Sequence, residues 1–288
     1  MARRKHFRIL TALGTGAAAL ALVFTGIAPA TATVPTHKNH SKVVDYVNLG
    51  DSYSAGFGSG TLVAGPLPGC LQGSGPTHVT ALDARPKVNL SINAACAGAT
   101  TADIAASLPL LTRYLAKAEL VTLTLGANDL DIKGIVMACS TLGTDAACDT
   151  ALQLAKMSIP AVGASAHQTL RTLDAATRGK VLVLGYPRLF TTSNGDQPLI
   201  TAKRARELNR LGDELNRSIK KATKHTHATF VSVTGAFSNH GLGANRSWIY
   251  FNQVNLADPF NLHPTTSGYL RGYYPAVNRH VNVNRLAR

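Results

Sequence analysis

Four short segments of the sequence contain residue types that suit acyl transfer. They are Gly50-Asp51-Ser52, Cys96-Ala97-Gly98, Gly126-Ala127-Asn128 and Leu262-His263-Pro264. A serine hydroxyl is a weak nucleophile that needs an adjacent base, most often a histidine. The oxyanion that such an attack creates needs hydrogen-bond donors, and backbone N–H groups and a side-chain amide serve this purpose. The serine, glycine, asparagine and histidine of these segments therefore predict acyl-transfer chemistry.

Each segment also has an ordinary structural explanation. Gly-Asp-Ser is a common turn, a glycine after a strand relieves backbone strain, and Asn-Asp after a strand often caps a helix. A histidine before a proline is usually structural. In a catalytic site, Gly98 would let the backbone approach a substrate closely, and Asn128 would supply the amide. The occurrence of all four segments in this order favours the catalytic interpretation.

Five apolar runs are the predicted strands that must bring these segments together. They are Val43–Leu49, Val88–Ala94, Leu120–Leu125, Val181–Leu184 and Phe230–Val233. Helical patterns lie between most of the runs, and this alternation predicts an α/β fold whose sheet is covered on both faces. The carboxyl ends of parallel strands meet at one edge of the sheet, where such folds bind ligands. Because Ser52, Gly98 and Asn128 follow the first three runs, we expect them to converge at that edge.

The four segments resemble sequence blocks of the SGNH (GDSL) hydrolase family, in particular of its secreted actinomycete lipases and esterases. The matching stretches read GDSYSAG, CAGATT, VTLTLGANDL and LHPTTSGY. The resemblance implies a three-layer α/β/α sandwich with a central, mostly parallel five-stranded sheet, the flavodoxin-like fold of SGNH hydrolases. It also implies a serine esterase or lipase that hydrolyses carboxylic esters and needs no cofactor.

The resemblance assigns a role to each of the four residues. It implies that Ser52 is the nucleophile and that His263 is the general base. The implied oxyanion donors are the backbone N–H groups of Ser52 and Gly98 and the side chain of Asn128. Ser54 stands where a Gly-x-Ser-x-Gly elbow would have its second glycine, which argues against the α/β-hydrolase fold.

The sequence departs from the family pattern just before the histidine. Many members carry an aspartate three residues before it, where this chain has Phe260. Either the backbone carbonyl of Phe260 accepts the Nδ1 proton of His263, which leaves a Ser–His dyad, or Asp258 reaches the imidazole. The carbonyl is the favoured partner, and the sequence leaves both open. His240 is a rival histidine outside the four matching blocks.

The first 32 residues predict a secretory signal peptide. Four basic residues within the first eight precede an apolar run from Ile9 to Ile27, and small residues suited to cleavage follow it. We therefore expect residues 1–32 to be removed on secretion, residues 33–42 to form an N-terminal tail, and residues 43–288 to form one hydrolase domain.

Four cysteines in an exported chain indicate two disulfides. Of the three pairings that four cysteines allow, we favour the sequential one, Cys70–Cys96 with Cys139–Cys148. The sequence contains no CxxC pair and no HExxH motif, so a zinc site is not predicted.

The chain is strongly basic, with 29 Lys and Arg against 15 Asp and Glu and a formal net charge of +14 at pH 7. Much of this charge lies between Lys203 and Lys224, where it alternates with apolar residues and predicts an amphipathic helix with a solvated face. Besides an ester or lipid substrate, we expect weak association with anionic cell wall or lipid, no specific binding of nucleic acid, and a monomer.

Three other functions are compatible with the sequence. A carbohydrate acetyl esterase would use the same residues, but the single tryptophan, Trp248, does not indicate a platform on which sugars stack. A phospholipase would suit the basic surface. A non-catalytic polyanion-binding protein would use the basic helix alone, and the complete set of four candidate site residues argues against it.

Overall fold

The structure, a computed structural model, describes residues 42–288. The predicted signal peptide and all but the last residue of the predicted tail lie outside the described residues. The strands are β1 (Val44–Gly50), β2 (Leu62–Ala64), β3 (Leu71–Gly73), β4 (Val88–Asn93), β5 (Leu120–Thr124), β6 (Lys180–Leu184) and β7 (Ala228–Val231). The α-helices are α1 (His78–Asp83), α2 (Thr101–Ser107), α3 (Thr112–Leu115), α4 (Ile132–Ala138), α5 (Asp145–Ala176), α6 (Ala202–Ala222), α7 (Tyr274–Asn278) and α8 (Val283–Leu286).

The central sheet contains five strands in the order β4-β1-β5-β6-β7, and every neighbouring pair is parallel. All residues of β5 are buried, as are all residues of β1 except Asp45. Near-continuous apolar runs are typical of parallel strands that are covered on both faces. The predicted α/β/α sandwich with a parallel five-stranded sheet is therefore confirmed.

The order of the strands positions the site. Strand β1 lies between β4 and β5, so the segments that follow these three strands emerge side by side. The chain moves from β1 to one side of the sheet and then crosses to the other side to form β5. Such a reversal opens a crevice at the carboxyl ends of the strands, where α/β sheets bind ligands.

The two longest helices, α5 and α6, pack against each other. Thr144 and Thr201 cap them, each accepting a hydrogen bond from a backbone N–H in the first turn. Arg204, on the predicted solvated face of α6, is instead only 5% exposed. Its guanidinium lies 2.6 Å from Asp145 Oδ1 and 2.5 Å from Asp149 Oδ1, so part of the basic helix holds the two helices together. None of the helices within residues 42–288 combines the length and hydropathy needed to cross a bilayer.

Two segments differ from what their sequences indicate. The stretch from Gly56 to Pro76 is rich in glycine and proline and predicts a loop, but it contains the antiparallel β2–β3 pair, which Gln72 joins to the last residue of β4 through its hydrogen bond to the Asn93 carbonyl. The sequence from Thr265 to about Arg279 predicts a helix, and this helix begins as a π-helical segment, Gly268–Tyr273, and continues as α7.

The four cysteines form two disulfides within the described residues. Cys70 is joined to Cys96, with their Cα atoms 4.9 Å apart. Cys139 is joined to Cys148, with their Cα atoms 4.4 Å apart. The first disulfide connects the β2–β3 pair to the segment after β4, and the second connects the end of α4 to the first turn of α5.

Candidate active site

The serine hydroxyl lies where the chain leaves the carboxyl end of β1. Gly50, the last residue of β1, has a φ of +114°, a conformation that favours glycine. A Cβ at this position would lie 2.5 Å from the carbonyl oxygen of Thr124 in β5. Ser54 Oγ accepts a hydrogen bond from the Thr124 N–H at 3.0 Å. These contacts fix the turn in which Ser52 lies.

The buried carboxylate of Asp51 stabilises the same turn. Asp51 accepts hydrogen bonds from Thr124 Oγ1 at 2.6 Å, from the Tyr53 N–H at 3.0 Å, and from the Tyr186 hydroxyl. Burial raises the pKa of the Asp51 carboxyl, and these hydrogen bonds oppose the increase. Asp51 thus joins the ends of β1 and β5 to the segment that follows β6.

The histidine is presented by an antiparallel pairing outside the main sheet. The Leu262 N–H donates to the Tyr250 carbonyl at 2.9 Å, and the Tyr250 N–H donates to the His263 carbonyl at 2.7 Å. The Tyr53 hydroxyl donates to the Leu262 carbonyl and so connects this segment to the turn after β1. His263 Nε2 lies 2.7 Å from Ser52 Oγ, although 211 positions separate the two residues.

The other ring nitrogen of His263 faces a backbone carbonyl. Nδ1 lies 3.2 Å from the carbonyl oxygen of Phe260. Because a carbonyl only accepts hydrogen bonds, Nδ1 carries the proton and Nε2 accepts from the serine hydroxyl. Burial and, secondarily, the charge of Lys133 lower the pKa of His263 from 6.5 to about 3. The ring is therefore neutral at pH 7, which is the form that a general base requires.

The structure does not bring Asp258 to the imidazole. Asp258 Oδ2 accepts hydrogen bonds from the Tyr250 hydroxyl at 3.0 Å and from Asn252 Nδ2 at 3.2 Å. Its Oδ1 accepts from the Phe260 N–H at 2.9 Å, the main cause that lowers the pKa of the Asp258 carboxyl. This geometry corrects the alternative in which Asp258 orients His263, because the carboxylate instead shapes the loop that presents the Phe260 carbonyl.

Three hydrogen-bond donors lie beside the serine. Among residues 42–288, the backbone N–H groups of Ser52 and Gly98 donate to no other protein group. Gly98 has a φ of +80°, and open space lies where a Cβ would be. Asn128 Nδ2 donates to the Ala99 carbonyl at 2.9 Å, which orients the amide and leaves its second N–H free for a ligand.

An apolar cavity of about 180 Å³, here named the active-site cavity, contains all four predicted site residues in its lining. Leu208, Leu211 and Leu215, on the apolar face of α6, form one of its walls. A second cavity of about 440 Å³, the neighbouring cavity, shares Lys133, Val136 and Leu262 with it. Within residues 42–288, no three histidine, cysteine or carboxylate side chains are grouped in a way that could hold a metal ion.

Three residues that the structure brings to the site had no role in the sequence analysis, namely Tyr53, Tyr186 and Lys133. Tyr186 lies two residues after the end of the buried strand β6, and a polar aromatic residue in that position is a signal that could have indicated it. No sequence signal separates Lys133 from other lysines. His240 lies elsewhere, with its ring stacked on Trp248 at a centroid distance of 3.6 Å.

The chain resembles known proteins over most of its length. Residues 49–271 match the model of the GDSL-like lipase/acylhydrolase family. The chain is 31% identical over 241 residues to a lipase of Streptomyces rimosus, an alignment that covers 82% of this chain and 87% of that lipase.

Two solved structures resemble the chain over 83% of its length and 100% of theirs. An extracellular lipase from Streptomyces rimosus aligns with a TM-score of 0.74 at 27% identity. Phospholipase A1 from Streptomyces albidoflavus NA297 aligns with a TM-score of 0.73 at 26% identity. The chain therefore belongs to the GDSL-like lipase/acylhydrolase family and is a carboxylic ester hydrolase.

Proposed function

We propose that the protein hydrolyses carboxylic esters through an acyl-enzyme intermediate on Ser52, with His263 as the general base. As Ser52 Oγ attacks the ester carbonyl carbon, its proton passes to His263 Nε2. The tetrahedral intermediate collapses, the carbon–oxygen bond to the alcohol breaks, and the alcohol leaves with the proton from Nε2. Water, deprotonated by the same nitrogen, then attacks the acyl carbon, the bond from that carbon to Ser52 Oγ breaks, and the proton on Nε2 returns to Oγ as the carboxylic acid leaves.

The backbone N–H groups of Ser52 and Gly98 and the amide of Asn128 bind the oxyanion in this mechanism. Loss of one such donor in other hydrolases costs about 2.7–4 kcal/mol of barrier stabilisation. The Phe260 carbonyl stabilises the Nδ1–H tautomer and the imidazolium that forms transiently, so the pair acts as a dyad. The single observation that carries the proposal is the 2.7 Å contact between Ser52 Oγ and His263 Nε2 within an apolar cavity.

The direct test is Ser52→Ala, measured on p-nitrophenyl esters from C2 to C16. We expect activity to disappear while the far-UV circular dichroism and the thermal midpoint stay those of the wild type. Ser193→Ala, which removes an exposed serine hydroxyl, serves as the matched control and keeps its activity. Full activity in Ser52→Ala would refute the assignment of the nucleophile.

Secretion, domain boundaries and assembly are also part of this proposal. Residues 1–32 act as the signal peptide, residues 33–42 form the tail, and residues 43–288 form the hydrolase domain. Two disulfides are typical of exported proteins, and the similar Streptomyces rimosus structure is that of an extracellular lipase. The secreted protein is a monomer whose basic surface associates weakly with anionic cell wall or lipid.

Phospholipid hydrolysis is a second candidate function. The protein resembles a phospholipase A1, and a large apolar cavity adjoins the one that contains Ser52. A glycerophospholipid with two acyl chains would occupy both cavities.

A further inference from the structure

Lys133 lies where the two cavities meet. It is the second residue of α4, the helix that follows Asn128, and it contributes to the lining of both cavities. The active-site cavity is about 180 Å³ and the neighbouring cavity about 440 Å³, and both have mainly apolar linings. The positive charge of Lys133 also acts on the imidazole of His263. A cation therefore stands between two apolar spaces and close to the reacting groups.

This cation has no anionic partner within the described residues. Its Nζ donates to the Pro259 carbonyl at 3.3 Å, and no carboxylate of residues 42–288 lies within 4.0 Å of it. Arg188, the other cation that lines the active-site cavity, differs because its guanidinium lies 2.8 Å from Asp213 Oδ2. Lys133 thus carries the positive charge at this junction that is not held in an ion pair.

The Lys133 side chain is exposed, so its ammonium is accessible to a ligand in solution. Partial burial lowers the pKa of this ammonium, and the charge of nearby Asp258 opposes the decrease. Asp258 is engaged by three other donors in its own loop, so it does not close an ion pair with Lys133. An ammonium group has three N–H donors, and one of them binds the Pro259 carbonyl. Two donors remain for a ligand.

A matching ligand has two apolar arms and an anionic group between them, close to a carboxylic ester. We propose that Lys133 binds the phosphodiester of a glycerophospholipid while its scissile acyl chain occupies the active-site cavity and its second chain the neighbouring cavity. This inference rests on the proposed function of Ser52 and His263. A neutral diacylglycerol would fill the same cavities but would offer the ammonium no anionic group to bind, so it would gain no charge-assisted hydrogen bond.

The test compares two substrates that have the same acyl chains and differ in charge. Dihexanoylphosphatidylglycerol and dihexanoylglycerol are supplied as dissolved monomers, so that attraction to a vesicle surface plays no part. A hydrogen bond to a charged group contributes about 1.5–3 kcal/mol, which corresponds to roughly a tenfold to hundredfold change in a rate or binding constant. We expect the ratio of kcat/KM for the phospholipid to that for the neutral lipid to fall by this factor in Lys133→Gln. Lys133→Arg retains the positive charge, so its ratio should stay close to that of the wild type.

Lys224→Gln is the matched control, because it removes one exposed positive charge near the far end of α6. Its ratio should equal that of the wild type. An equal fall in both substrates for Lys133→Gln would overturn the proposal, since it would show that Lys133 only positions the Pro259 loop. A similar fall in the ratio for Lys224→Gln would also overturn it, since net charge would then explain the preference.

Two further measurements distinguish a failure of the role proposed for Lys133 from a failure of the proposed function. Inorganic phosphate, at the concentrations used for the phospholipid, should not inhibit hydrolysis of dihexanoylglycerol. Inhibition at these concentrations would show that Lys133 binds free phosphate and would overturn the proposal that its ligand is a lipid phosphodiester. Hydrolysis of dihexanoylglycerol by the wild type and its loss in Ser52→Ala test the proposed function itself. An unchanged ratio in Lys133→Gln with this hydrolysis intact would therefore reject the role of Lys133 alone.

Discussion

At the scale of single residues, the environment of His263 fixes the hydrogen-bonding role of each of its nitrogens. The Phe260 carbonyl binds Nδ1, and the buried site lowers the pKa of the ring, so that Nε2 is a neutral acceptor at 2.7 Å from Ser52 Oγ. A carbonyl cannot ionise, so it orients the ring without adding a negative charge. Asp258 contacts the loop that carries Phe260 and makes no hydrogen bond to the ring.

Asp258→Asn tests this division of roles. The amide keeps the size of the carboxylate and can still accept a hydrogen bond from the Phe260 N–H, so we expect kcat/KM on p-nitrophenyl butyrate to fall by less than about tenfold. Disabling the acid of a true triad lowers kcat by about 10⁴. His263→Ala provides the reference for complete loss of the base. If the loss of kcat/KM in Asp258→Asn approached that of His263→Ala, Asp258 would have to be the acid of a catalytic triad.

The sequence indicated the four residues that line the candidate site more readily than the residues that contact them. Ser52, Gly98, Asn128 and His263 lie in short motifs whose residue types suggest the chemistry directly. Lys133 could not be identified in this way, because its place beside the site arises from contacts across the fold. The choice between Phe260 and Asp258 likewise depended on loop geometry that no local pattern encodes.

At the scale of elements, the close contact between the ends of β1 and β5 places Ser52. Gly50 ends β1 with a positive φ, and its Cα faces the backbone of Thr124 so closely that a side chain would collide. The turn that follows depends on this close approach.

Gly50→Ala should therefore destabilise the protein more than an ordinary glycine replacement does. Gly195→Ala is the matched control, because Gly195 has a φ of +82° but nothing within 4 Å of its Cβ position. Both variants carry the cost of a positive φ, whereas Gly50→Ala also carries the steric clash, which we expect to add about 1–3 kcal/mol. Urea unfolding monitored by fluorescence measures the difference. Equal losses in the two variants would show that this contact tolerates a methyl group.

Secondary structure was predictable where hydrophobic pattern and burial agree. The five sheet strands and α6 follow from their apolar periodicity, although β7 begins two residues before the predicted run. The β2–β3 pair was not predicted because its strands are three residues long and lie in a segment rich in glycine and proline. The π-helical start of the last helix was missed because it is a matter of local hydrogen-bond geometry, which periodicity does not report.

At the scale of the whole molecule, the most unusual buried group is His78, at the start of α1. It is fully buried, and neither ring nitrogen has a hydrogen-bond partner within the described residues. Its ring stacks on Tyr269 and Tyr273 at centroid distances of 5.7 Å and 5.3 Å. Burial lowers the pKa of His78 from 6.5 to about 3. The sequence could not predict this, because the site forms only when α1 packs against the C-terminal helical segments.

Such a histidine makes stability depend on pH. Its folded pKa lies below its unfolded pKa, so as the pH falls below 6.5 the unfolded chain binds a proton that the folded chain does not. The folded state loses stability progressively across the interval from 6.5 to about 3. Between pH 7 and pH 5, one such group accounts for a loss of about 2 kcal/mol. His263 contributes in the same direction, because its pKa is lowered to about 3 as well.

His78→Phe removes the titrating ring and keeps an aromatic group between the two tyrosines. The free energy of unfolding is measured in urea at pH 7 and at pH 5, and its decrease between the two pH values is compared with that of the wild type. We expect this decrease to be smaller by about 2 kcal/mol in the variant, whatever the absolute stability of the variant. The range ends at pH 5 because carboxylates begin to titrate below it. Ser193→Ala is the control, since it removes an exposed hydroxyl and no titrating group and should keep the pH dependence of the wild type. If His78→Phe retained the full pH dependence, the ring of His78 would have to be protonated or solvated in the folded protein, and the acid sensitivity would originate elsewhere.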